Sequence, residues 1–479
     1  MKGKRPDRTG RSGSESRGLP AGLVDRLLSI VGEERGGSTI EFAGSDPVLP
    51  TPFRVGEVGA TAIGASALMA ARIWELRGGR PQHVLVPVDA AAAAMRSSRY
   101  LRRDPLPERA QLPEGRGLGF YLTRDGRWIY FQRLFPHHQA RLVEVLQCPY
   151  EEDAITEAVA RWDGEALEEA VIANGACAGL VRSREEWMAH EQAQAVASLP
   201  IIEVTRISSS KREQPADGAR PLSGVRVLDV TRVLAGPTCG RTLAEHGAEV
   251  LRVGTDRVPD NEMMMMDTGH GKRSCVLDLT SGPDRQRLRS LIGASDIFVQ
   301  GYRPGALARL GFSLQDVADL RPGIIYVTLS AFSHQGPWQG RRGFDSVVQS
   351  VSGIADTMAK EGRPRPIPAN PLDYATGYLL AFGAMVALRR RALEGGSFLV
   401  RASLAQTGHW LSELSPLDPL NVSAQPPDLS GSRLDSLMTS ADTPFGRLRF
   451  LAPAAQLSET PGRWDLPTRP IDHDSPEWL

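Results

Sequence analysis

The stretch VRVLDVTRVLAGPTCGRTLAEHGAEVLRV, residues 225–253, decides the fold. Val225 to Val230 is a continuous apolar run, the pattern of a strand buried on both faces. A turn containing Gly236 and Pro237 follows, Cys239 to His246 suits a helix, and Ala248 to Val253 reads as a second strand. Downstream, Val276 to Leu279, Ile297 to Gln300 and Ile324 to Leu329 are further candidate strands, separated by helical segments. This alternation predicts an α/β fold, a Rossmann-like open parallel sheet with helices on both faces.

Outward from that core, Tyr374 to Leu393 is a long helix without proline, ended by Gly395-Gly396. After Pro416 the chain is proline-rich and is expected to wrap over the surface. Upstream, Leu23 to Val31 has helical spacing. Gly56 to about Trp74 is an Ala- and Gly-rich helix ended by Gly78-Gly79, and Val84 to Val88 is a strand. Tyr121 to Phe131, with its turn at Arg124 to Gly126, predicts a hairpin, followed by helices near Glu152–Trp162 and Gly164–Ala173. The polar segment Ser208 to Pro221 is the clearest linker. Glu57 pairs with Asp373 at an offset of 316 (373 minus 57), and the same offset pairs Ala65 with Ala381, Met69 with Met385, Gly79 with Gly395 and Val84 with Val400. Chance likeness between Ala-rich helices is one account of that match; the shared glycine and following strand favour a duplicated helix and strand.

Acidic and basic residues balance at 56 each, so no global charge points to nucleic acid. Met1 to Arg17 is basic and rich in Gly and Ser, and is expected to be disordered. It has no apolar core of a secretory leader. No run of 18 apolar residues predicts a membrane span. Cys148, Cys177, Cys239 and Cys275 form no CxxC pair, which argues against a zinc site or a disulfide framework and for a cytoplasmic location.

Several groups suit chemistry. The loop holding Ala235 and Gly236 lies between a strand and a helix, where a doubly wound sheet presents N–H groups to ligands. It is not GxGxxG, and Gly254 stands where a dinucleotide site carries an acid. A tight packing turn explains it equally well. Lys272 and Arg273 suit phosphate, or an ordinary solvated basic turn. Tyr302, Arg303 and Arg309 combine an aromatic face with two guanidinium groups beside a strand end. Asp373 precedes the long helix, as an N-cap or as a reactive carboxylate.

The order of these motifs resembles the family III CoA-transferases, the group of formyl-CoA transferase and carnitine CoA-transferase (CaiB/BaiF type). The resemblance runs through Pro221 to Asp229, Val233 to Pro237, Gly271 to Leu279, Arg303 to Gly311, Gly336-Pro337, Gly343-Phe344-Asp345, Ser352-Gly353 and Asp373 to Gly377. It implies a smaller α/β domain beside the Rossmann-like one. Gly126 to Trp187 resembles that small domain, which here precedes the Rossmann part instead of following it. The domain order is thus a disordered tail over 1–19 and a helical segment with a degenerate helix copy over 20–112. The small domain (113–207), a linker (208–220), the CoA-binding domain (221–412) and a proline-rich tail (413–479) follow.

The resemblance implies that Asp373 forms a mixed anhydride and then an aspartyl-CoA thioester. It implies Lys272, Arg273, Tyr302, Arg303, Arg309, Ala235 and Gly236 as CoA-binding, with acyl-CoA and carboxylic acid as substrates and an interlocked homodimer as assembly. Coenzyme A is then a substrate, with no permanently bound cofactor, no metal, no nucleic acid and no membrane. A racemase of 2-methylacyl-CoA thioesters shares the fold, but its histidine position is Phe344, with His334 ten residues upstream as a substitute. A non-catalytic CoA-binding relative is the other alternative. Three positions depart from the family: Gly254, Thr255 (with Arg257 near) and Gly301. The run Met263 to Met266 suits an acyl lining, core filling or a loop.

Overall fold

A computed structural model describes residues 18–104, 119–258 and 260–479. Residues 1–17 of the expected disordered tail lie outside these, and the first helix, Leu19–Ile30, starts at the tail's last residue.

The centre is a seven-stranded sheet of β1 (Glu203–Ser208), β2 (Arg226–Asp229), β3 (Glu249–Gly254), β4 (Lys272–Val276), β5 (Ile297–Gln300), β6 (Ile325–Ser330) and β7 (Ser397–Ser403). The spatial order is β4-β3-β2-β5-β6-β7-β1, parallel throughout except for β1. Counted from β2, this is the doubly wound order 3-2-1-4-5-6, which opens a crevice between β2 and β5. Val227, Leu228, Phe298, Val299 and Val327 are fully buried, as strands covered on both faces require.

Two strands depart from the sequence reading. β4 begins four residues before the expected Val276, because Lys272 and Arg273 are strand residues whose charged side chains are paired inside the protein. β1 falls in the segment assigned to the small domain, yet it is the antiparallel edge of the large sheet. Beyond it, 209–218 has no regular structure, as expected of the linker.

Three helices position the site: α1 (Val55–Leu76), α2 (Ala235–Glu245) and α3 (Pro371–Glu394). α3 packs against both others. Gly377 lets α3 approach α2, since a Cβ there would lie 2.5 Å from the Ala235 carbonyl oxygen. α3 is the one helix among the described residues long and apolar enough to cross a bilayer, and its apolar window is wholly buried in the protein. α1 lies over a parallel strand pair, Thr39–Ala43 and His83–Pro87.

The hairpin Phe120–Leu122/Trp128–Phe131 forms as expected and is extended by Ala178–Leu180. Helices Pro136–Leu146, Glu152–Val159 and Gly164–Ala173 close this unit around Leu142, Ile155 and Leu167. The tail does more than wrap the surface. Its hairpin, Met438–Thr443/Gly446–Leu451, pairs with Arg102–Asp104, and Gln456–Leu457 joins His83–Pro87. Farther on, Asp474 exchanges backbone and carboxylate bonds with Ser274 (2.8 and 2.9 Å), covering the β4 edge that would otherwise be open for pairing.

Candidate active site

Asp373 is the third residue of α3 and only 7% exposed. It does not cap its own helix. The first-turn N–H groups of Leu372 and Asp373 donate to Asp345 Oδ2 at 2.9 and 3.0 Å. Asp345 is itself buried and held by the Gln349 amide. With the capping position satisfied from outside, the Asp373 carboxyl is left without a hydrogen bond from any of the described residues. Burial raises its pKa well above the usual carboxylate range, and the neighbouring Asp345 charge raises it further. Asp345 is also pushed up, to about 6, by burial, against the pull of the N–H groups it accepts. Of the two adjacent buried carboxyls, Asp373 is the one without donors, so its affinity for a proton is raised more.

Asp373 opens into a cavity of about 470 Å³ at the crevice between β2 and β5. The loop after β2 supplies Val233 and Ala235, and the loop after β5 supplies Tyr302, Arg303 and Pro304. Leu329, Ala331, Phe344 and Leu404 make an apolar wall beside Asp373. The small domain closes the cavity with Phe135, His137 and His138. Asp373 is the one carboxylate in the lining, against Arg232, Arg303, Arg341 and Arg342. Arg232 pairs with Asp260 at 2.8 Å and Arg341 with Glu169. Arg303 and Arg342 have no ion pair with any described carboxylate. A cavity with unpaired guanidinium groups, an aromatic rim and an apolar end at a buried acid suits an anionic ligand with an apolar tip. A second cavity, about 450 Å³ around Trp338, has its charges paired internally, as in Arg182 to Glu168 at 2.8 Å.

The residues expected to bind CoA divide. Ala235, Tyr302 and Arg303 meet Asp373 at the cavity. Lys272 does not reach it: its ammonium is sealed between Asp229 Oδ2 (2.8 Å) and the Pro237 carbonyl (2.7 Å), bracing the β2 loop from behind. Arg273 points to the tail, donating to the Glu477 carbonyl at 2.7 Å. Gly236 is a packing glycine, since a Cβ there would come 2.4 Å from Thr231 Cβ. Arg309 is exposed in a short 3₁₀ turn beside Gly305 and does not line the cavity. A Lys-Arg pair at a strand start reads as a phosphate cradle in sequence, but here interior carboxylates and the tail consume it.

The departures also gain physical reasons. A side chain at Gly254 would meet Ile471 at 2.0 Å, so the tail fills that space. Arg257 pairs with Asp278 at 3.2 Å, away from the cavity. Met264 and Met265 line a separate small pocket with Phe135 and Val233 and do not line the Asp373 cavity, whereas Met266 is core. His334 lies 3.6 Å from Glu203 and does not line the cavity, so it is no substitute at the Phe344 position. Sequence reasoning missed Arg342, although it adjoins the quoted Gly343-Phe344-Asp345. It also missed Phe135, His137 and His138, which no sequence spacing links to Asp373.

The family described as CoA-transferase family III matches residues 222–452. The acetyl-coenzyme A transferase nodX of Hypoxylon pulicicidum is 31% identical over 353 residues, 68% of this chain and 58% of that protein. The formyl-CoA:oxalate CoA-transferase of Rhodopseudomonas palustris (strain BisB18) is 32% identical over 198 residues, 39% of this chain and 46% of that one. The crystal structure of Rv3272 from M. tuberculosis aligns with a TM-score of 0.39 at 31% identity, over 41% of this chain and 59% of that one. The chain thus spans about half the length of the curated relatives it matches. Residues 222–452 are thus similar to CoA-transferase family III.

Proposed function

We propose that the protein moves coenzyme A from an acyl-CoA donor to a carboxylic acid, with Asp373 as the attacking group. One observation carries this reading: a buried carboxyl with no hydrogen bond from the described residues opens into a cavity rimmed by Tyr302, Arg303 and Arg342. The names of the relatives support it.

The Asp373 carboxylate, once ionised, attacks the thioester carbonyl. The C–S bond breaks, leaving a mixed anhydride and CoA thiolate. The thiolate attacks the aspartyl carbonyl, releasing the donor acid and forming an aspartyl-CoA thioester, which the acceptor acid then attacks. Burial makes Asp373 a stronger base and a better nucleophile after it loses its proton, at the cost of a smaller ionised fraction at neutral pH. Phe344 carries no transferable proton, which favours transfer over proton exchange. The apolar wall of Leu329, Ala331, Phe344 and Leu404 favours an apolar acyl group. The reading includes a homodimer and a reducing cytoplasmic setting for the four free thiols; a native mass of one chain alone would remove the dimer.

The test is incubation with a panel of acyl-CoA donors, quenching with hydroxylamine or borohydride, and peptide mass spectrometry. Modification at Asp373 is expected. Binding of CoA without modification by any donor would point instead to a non-catalytic relative.

A further inference from the structure

His138 comes from the small domain, 235 residues before Asp373 (373 minus 138), yet both line the same cavity. Its ring is 4% exposed and sits among aromatic rings, 4.3 Å from His137, 5.8 Å from Phe344 and 5.9 Å from Phe135 between centroids. Nδ1 is sealed from water and has no partner. A buried N–H without an acceptor costs more than a buried lone pair, so the proton of the neutral ring belongs on Nε2. Nε2 makes no hydrogen bond among the described residues and is the nitrogen left to meet a ligand.

The surroundings keep the ring neutral. Burial, together with the charges of His137, Arg342 and Arg141, lowers the His138 pKa to about 4. No carboxylate is among the groups acting on it, so nothing nearby favours the imidazolium.

We propose that His138, as a neutral Nε2–H donor, is a catalytic residue that binds the thioester carbonyl oxygen and stabilises the oxyanion formed when Asp373 attacks. The inference rests on the transfer reading above. As the Asp373 oxygen bonds to the carbonyl carbon, the C=O electron pair moves onto oxygen, where the N–H meets it. The pair returns when the C–S bond breaks, and His138 keeps its proton throughout. A donor preorganised in a closed cavity acts mainly in the transition state.

The test compares wild type, His138→Phe and His138→Gln for acyl transfer and for trapping at Asp373. His138→Phe keeps the ring packing and loses the donor, so kcat is expected to fall about 10²–10³-fold with the donor KM changed only a few-fold. His138→Gln, which retains an N–H, should stay within about tenfold of wild type. The rise of the wild-type rate with pH, which Asp373 sets, should keep the same inflection in His138→Gln. Equal losses in Phe and Gln variants, or full kcat in His138→Phe, would overturn the role. Should His138→Phe fail to fold, an inflection that shifts between wild type and His138→Gln, or a Gln variant as slow as an Asp373 variant, would do so. Wild-type protein that is never modified at Asp373 would instead remove the transfer reading.

Discussion

The helices α1 and α3 begin alike and end up with different chemistry. α1 starts at 55 and α3 at 371, an offset of 316 (371 minus 55). Each leads to a strand, His83–Pro87 or Ser397–Ser403, and then to a helix starting at Val88 or Leu404, again 316 apart (404 minus 88). Each carries an acid as its third residue, and each has a second carboxylate capping that turn. Asp46 accepts the Glu57 N–H at 2.8 Å, as Asp345 accepts that of Asp373. The neighbours differ. Glu57 is paired with Arg54 at 2.7 Å, while Asp373 has no cation bonded to it and opens into the cavity. A buried acid bonded to a counter-ion has its oxygens occupied by that partner; one without a counter-ion has its pKa raised and its oxygens free for a ligand.

The largest effect should come from the acids themselves. Asp373→Asn should lower transfer by about 10⁴-fold or more, as loss of a covalent nucleophile does. Glu57→Gln should leave kcat within about twofold, because its carboxylate serves only Arg54 and the fold. Steady-state kinetics on both variants checks this, and a large loss in Glu57→Gln would collapse the contrast.

The next effect is on pH dependence. Asp373 and Asp345 have folded pKa values above their unfolded ones, so the folded state binds their protons more tightly. The stability they contribute is full below the unfolded values, near 4, and is lost as pH rises through about 6 and beyond. Asp373→Asn removes one of these charges, so its melting temperature should exceed wild type by a few degrees at pH 8 and by less at pH 5. Transfer by wild type should rise over the same interval as Asp373 ionises. Thermal scans and rates across pH 5–9 test both signs.

The fold was legible where packing writes itself as apolar runs, and the site where a motif is local. β2, β3, β5 and β6 read directly from continuous hydrophobic stretches, and Asp373, Tyr302 and Arg303 from one ordered region. β4 was displaced because Lys272 and Arg273 are buried by pairing, which hydrophobicity does not record. The tail hairpin at 438–451 was missed because it pairs with Arg102–Asp104, more than three hundred residues away. For the same reason His138 was invisible: its meaning depends on a domain folding back over the cavity, and a lone small-domain histidine carries no sign of that.

Smaller effects should come from the two caps. Asp345→Ala and Asp46→Ala each remove the acceptor for a buried helix start, and each should cost about 1–2 kcal/mol. Only Asp345→Ala should also slow transfer, because the turn it holds aims Asp373 at the cavity. Denaturant titration and kcat measured together separate the cases. Parallel stability losses with kcat changed in one variant alone would sharpen the comparison. Loss of kcat in both would mean that α1 positions the site through its packing on α3, and that the first copy is more than support.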